Sequence, residues 1–100
     1  MSMAAWLRDG PDGAGIRRQH LAAHLDFVER HLDTILVAGP LIDERSGEMN
    51  GSLYVLAVGD RDAAFAFLEQ DPYYAAGLWE AIEIRAFRGA AGRWVGGRNW

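Results

Sequence analysis

The stretch "SLYVLAVGDRDAAFAFLEQDPYYAAGLWEAIEIRAF", residues 52–87, changes its hydrophobic period twice, and those changes decide the fold. "SLYVLAV" is a short apolar run rich in β-formers, and Gly59-Asp60 ends it, so it predicts a strand. Asp60 stands where a helix cap belongs, ahead of "RDAAFAFLEQ", a helix whose Ala64, Phe65 and Leu68 are expected to face inward. Asp71 with Pro72 repeats the signal, with proline at the first position of a one-turn helix that stops near Gly77. "LWEAIEIRAF" then alternates strictly. Leu78, Glu80, Ile82, Ile84 and Ala86 fall on one side and Trp79, Ala81, Glu83, Arg85 and Phe87 on the other, which predicts another strand.

Upstream, "MAAWL" gives a first strand over residues 3–8, closed by the turn residues of "RDGPDGAG". From about Ile16 to Leu32 the period is helical, with Leu21, Leu25, Val28 and Leu32 forming one stripe expected to face a core. "TILVAGP" reads as a four-residue apolar strand ended by Gly-Pro, and "LIDERSGEMNG" as a loop or a loosely paired ribbon. The order β-α-β-β-α-β predicts a ferredoxin-like α+β domain, a four-stranded antiparallel sheet with two helices on one face. Residues 1–100 form one domain, with a core of about 3–88 and a Gly/Arg/Trp-rich tail expected to be loose unless it docks. "ILVA" and "SLYVLAV" are apolar on both faces, whereas two helices cover only one. The open face is therefore expected to pack on a second copy, giving a homodimer.

Composition removes several function classes. The formal net charge is −4, which argues against a nucleic-acid or anionic-membrane surface. The ten cations are all arginine, so a lysine Schiff base is excluded, and without cysteine there is no thiolate nucleophile or thiolate metal site. No phosphate-binding loop, nucleophile elbow, dinucleotide fingerprint or calcium loop is present, and no cofactor is expected. With neither a signal-peptide pattern nor an apolar run near the length of a membrane span, a cytoplasmic protein is the expectation.

The polar candidates are few. His20, His24, Phe27 and His31 form a stripe one position ahead of the leucines, about 100° around the helix, so the histidines border the core. A half-buried imidazole suits general acid or base work, and it is also an ordinary boundary residue. His20 and His24 have helical metal-ligand spacing, but no third ligand or carboxylate motif accompanies them, so no metal is assigned. Asp71 caps the turn begun by Pro72, and with its second oxygen it can orient a nearby imidazole. Ser52 is either a plain strand-end serine or a hydrogen-bond donor to a ligand. Arg17, two turns before His24, is either exposed or holds a ligand anion. Tyr73 and Tyr74 are expected to pack and seal a pocket.

"HLDFVERHLDTILVAGPLID" and the 51–87 stretch together resemble the YciI-like proteins of the YCII-related domain family. The most specific pieces are "AGPL" and the "DPY..AGL.E...I..F" ending, in order and at these distances. The resemblance implies a dimeric α+β barrel with a histidine and an aspartate in a pocket at the dimer's sheet interface. His24 in "AAHLDF" matches the family's histidine better than His20, Asp71 its aspartate, and Ser52 the serine of "GS"; Leu21 stands where the family often has arginine. Related dimeric barrels include muconolactone isomerase and a dehydrochlorinase of chlorinated hydroxyquinols. The implied activity is proton transfer, isomerisation or elimination on a small cyclic metabolite, with His24 moving the proton, Asp71 orienting it and Ser52 binding a ligand oxygen; from the residues themselves, Arg17 and Tyr73 are the further expected ligand contacts. The alternative is a non-catalytic homodimer that binds or senses a small molecule.

Overall fold

A computed structural model of the chain describes residues 1–99; Trp100, the last residue of the tail, lies outside them. Strand β1 (Ser2–Asp9) leads into helix α1 (Gly13–Arg30). The hairpin of β2 (Ile35–Ile42) and β3 (Met49–Leu56) follows, then helix α2 (Arg61–Glu69), the one-turn helix α3 (Pro72–Ala75) and β4 (Trp79–Phe87). The sheet order is β2-β3-β1-β4, and each neighbouring pair is antiparallel. This is the expected ferredoxin-like arrangement.

Strand alternation builds the core. Met3, Ala5 and Leu7 of β1, Tyr54 and Leu56 of β3 and Ile84 of β4 point to the helices, where they meet Phe27 of α1 and Ala64, Phe67 and Leu68 of α2. Both predicted caps form: Asp60 accepts the Ala63 N–H at 2.8 Å, and Asp71 accepts the Tyr73 N–H at 2.9 Å with Pro72 at the first helical position.

Four expectations need correction. Of the α1 stripe Val28 packs against the core, but Leu21, Leu25 and Leu32 do not, being 46%, 53% and 62% exposed. The helix is rotated so that Arg17 and Phe27 are buried, with His24 mostly so, and the leucines look past the edge of the sheet. On α2 the inward residues are Ala64, Phe67 and Leu68, whereas Phe65 lies at the surface, its ring edge-on to Tyr74. Strand β2 does not stop at Gly39-Pro40 but runs through to Ile42, pairing Pro40 with Ser52. It is an edge strand, where proline's missing N–H costs no ladder bond if it faces outward. The tail is not loose: β5 (Ala91–Gly92) and β6 (Gly97–Arg98) form a small ribbon closed by Asn99, whose side chain donates to the Gly89 carbonyl at 2.6 Å.

The uncovered sheet face is mixed. Trp6 is 56% exposed at its centre, in a shallow groove with Ala4 and Leu53 that Glu83 and Arg85 border.

Candidate active site

The polar residues on the helix side of the sheet gather around Asp71. Its carboxylate is buried beneath α1, and each of its hydrogen-bond donors comes from a different element. The Tyr54 hydroxyl on β3 donates at 2.7 Å, the Tyr73 N–H of α3 at 2.9 Å, and the His24 ring of α1 lies with Nδ1 2.9 and 3.0 Å from the two oxygens. An ionised carboxylate only accepts, so the His24 proton sits on Nδ1. Nε2 has no protein partner among the described residues and is left as an acceptor. The ring stacks on Tyr73 at 4.0 Å and 17°, which fixes its plane. Burial, with the Asp71 charge beside it, pushes the Tyr54 phenol far above its ordinary value of 10.0, and burial also raises the Tyr73 phenol. Both phenols therefore keep their protons at neutral pH and donate hydrogen bonds, Tyr54 to Asp71 and Tyr73 to the Arg17 carbonyl.

A second buried group lies two turns earlier on α1. Arg17 gives Nε to Asp9 Oδ2 at 2.7 Å, and Nη2 to Asp9 Oδ1 at 3.1 Å, to the Gly51 carbonyl at 2.7 Å and to Ser52 Oγ at 3.0 Å. The exposed alternative for Arg17 is thus overturned. Ser52 is buried, and its oxygen is already engaged as an acceptor from the guanidinium. Gly51 has no room for a side chain, since a Cβ there would strike the Leu7 carbonyl, and this packing holds the Ser52 backbone against β1.

His24, Arg17, Ser52, Tyr54 and Tyr73 all border one cavity of about 230 Å³ between α1 and the β2 edge. Leu21, Leu25 and Val28 wall it on the helix side and Ala38–Pro40 on the strand side. Three residues of the predicted stripe therefore line this cavity. The pocket was expected at a sheet-to-sheet interface. It lies instead on the helix side, because Ser52 and Tyr54 alternate inward on β3 whereas Leu53 faces the open side.

The other histidines stand apart. His31 hydrogen-bonds the Phe27 carbonyl at 2.7 Å and packs on Phe27 and Phe67, as a boundary residue does. Among the described residues no three His, Asp or Glu side chains converge as metal ligands would. Sequence reasoning missed Tyr54 and Asp9. Tyr54 was accessible, two residues beyond Ser52 and so on the same strand face; Asp9 carried no local signal.

The fold and the buried His–Asp pair define a small ferredoxin-like α+β domain with its polar groups around one cavity. The chain belongs to the YCII-related domain family, whose profile matches residues 1–88. It is similar to the solved structure of 5-chloro-2-hydroxyhydroquinone dehydrochlorinase from Burkholderia phenoliruptrix in complex with 2,5-dihydroxybenzoquinone. The identity is 27%, over 93% of this chain and 97% of that one, with a TM-score of 0.78. A protein from Agrobacterium tumefaciens shares the fold at 17% identity, over 89% of this chain and 92% of that one, with a TM-score of 0.52. No curated protein matches the chain.

Proposed function

We propose that the chain is a small enzyme that moves a proton on a one-ring compound held between α1 and the β2 edge. The observation that carries this is the His24–Asp71 pair on the cavity wall, with Nδ1 fixed on a buried carboxylate and Nε2 without a protein partner among the described residues. A carboxylate in that position holds the imidazole in one tautomer and steadies the cation it becomes after taking a proton. Cavity size favours a single ring: an engineered apolar cavity of roughly 150 Å³ takes benzene, and this one offers about 230 Å³. The similarity to a dehydrochlorinase complexed with a dihydroxyquinone supports a hydroxylated ring as the ligand.

In the step proposed, His24 Nε2 removes a proton from the substrate. In an elimination, the electron pair left behind forms the new double bond as the carbon–halogen bond breaks; halide leaves, and the proton stays on His24 until water takes it. In an isomerisation, His24 returns the proton to a different atom. Tyr73 holds the ring plane of His24, and Ser52 with Arg17 receives a ligand oxygen.

The test is turnover of a panel of chlorinated hydroxyquinols and small lactones, read by chloride release and ultraviolet absorbance. His24→Ala should lower kcat by roughly 10²–10⁴-fold while ligand affinity stays within a few-fold. Tight binding by the wild type with no turnover anywhere in the panel would instead establish a non-catalytic binding protein.

We further infer that the open sheet face pairs with a second copy of the chain. Trp6 at the centre of an exposed face, with Glu83 and Arg85 of opposite charge beside it, gives a surface that a two-fold copy can complement.

A further inference from the structure

The Arg17 guanidinium is unusual among ligand-facing arginines because most of it is already committed. Nε and Nη2 are engaged by Asp9, Gly51 and Ser52, so the fork that would grip a carboxylate is turned inward. What remains is Nη1, whose protein contact is the Met49 sulfur at 3.7 Å, a weak acceptor on the cavity wall. Asp9 is built to do this. The β1–β4 register shifts between Arg8 and Asp9, a bulge of the kind that re-aims a side chain. Gly13 lets α1 begin against that carboxylate, since a Cβ at Gly13 would lie 3.0 Å from Asp9 Oδ2. The Asp9 side chain is 5% exposed and that of Arg17 10%, so each charge is cancelled locally.

We propose that Asp9 sets the ligand class of the cavity by cancelling Arg17 and leaving Nη1 alone to meet a single uncharged oxygen, so that a ring hydroxyl or carbonyl is preferred over a carboxylate. This rests on the ring-binding reading of the same cavity. Around the site one guanidinium stands against two carboxylates, Asp9 and Asp71, so with a neutral His24 the local sum is negative and opposes an anionic group. A single oxygen needs only one Nη1 proton, while a carboxylate would have to take both from one nitrogen, outside the parallel fork that suits its two oxygens.

The experiment compares resorcinol with 3-hydroxybenzoate, the same ring with hydroxyl or carboxylate at one position. Each is titrated into the full chain and read by NMR shifts of the His24 ring. The wild type should bind resorcinol about tenfold more tightly or better, the scale of one unfavourable charge a few ångströms away in a partly wet site. Asp9→Asn, which leaves the arginine charge uncompensated, should move the ratio toward 3-hydroxybenzoate by about tenfold or more. A purely structural role for Asp9 would weaken both probes alike and leave the ratio where it was, which overturns the proposal. Equal binding of the two probes by the wild type overturns it without any variant, and leaves the His24 proton-transfer reading standing. Failure of both probes to bind removes the ring-cavity reading and this inference together.

Discussion

Replacing Tyr54 with Phe tests whether the Asp71 carboxylate is the hub of the site. The substitution keeps the ring, which packs in the core with Phe67, and deletes only the hydroxyl that donates to Asp71 Oδ2 at 2.7 Å. Both residues are almost completely buried, so no water replaces the lost donor at the same position. A hydrogen bond to a charged group contributes about 1.5–3 kcal/mol, and a domain of this length loses roughly 4–8 °C in Tm per kcal/mol. Tyr54→Phe should therefore melt at least ~6 °C below the wild type in calorimetry at neutral pH. The difference should also depend on pH in one direction. The phenol is raised in the folded state, so below its ordinary value of 10.0 both states keep the proton and the full difference is present. Above that value the unfolded wild type releases the proton while the folded one holds it. The wild-type advantage then shrinks by about 1.4 kcal/mol per pH unit from pH 10 upward. A variant that melts within about 2 °C of the wild type, with a pH-independent difference, would show that the hydroxyl is not bound to an ionised Asp71.

Arg17→Met should destabilise by about 3–5 kcal/mol by leaving Asp9 buried and unpaired, and pairing it with Asp9→Asn should recover part of that loss in a double-mutant cycle read by urea melts. Gly51→Ala should cost about 1–3 kcal/mol by overpacking against the Leu7 carbonyl, and it should weaken ligand binding through the displaced Ser52. Trp6→Glu, placed on the open face, should shift sedimentation from dimer to monomer with little change in the single-chain circular dichroism; a wild type that sediments as a monomer would contradict the pairing of that face.

Element order was readable because it is written in local chemistry: alternation in β4, and aspartate caps at Asp60 and Asp71 that bind their own turns. The His24–Asp71 pairing was also within reach, since a helix-end carboxylate and a core-edge imidazole have few other partners so placed. The rotation of α1 was not. A leucine stripe and a histidine stripe one residue apart compete for the core, and the outcome turns on Arg17, whose partner Asp9 lies across a turn on another element. The course of β2 through Gly39-Pro40 was hidden for a similar reason: local signals mark a stop there, and only the strand's edge position makes proline acceptable. Phe65 and Phe67 have the same composition signal, so α2 alone did not say which one the core would take.

In the proposed reaction His24 presents a bare Nε2 to a ring ligand while Asp71 holds Nδ1–H. Long-range ¹H–¹⁵N NMR of the imidazole reports both nitrogens at once. The expected result is a neutral ring protonated at Nδ1, whose Nε2 resonance moves when a hydroxylated ring is added and whose tautomer is lost in Asp71→Asn. An Nε2–H tautomer in the free protein, or an Nε2 resonance that does not respond to any ring ligand, would contradict it.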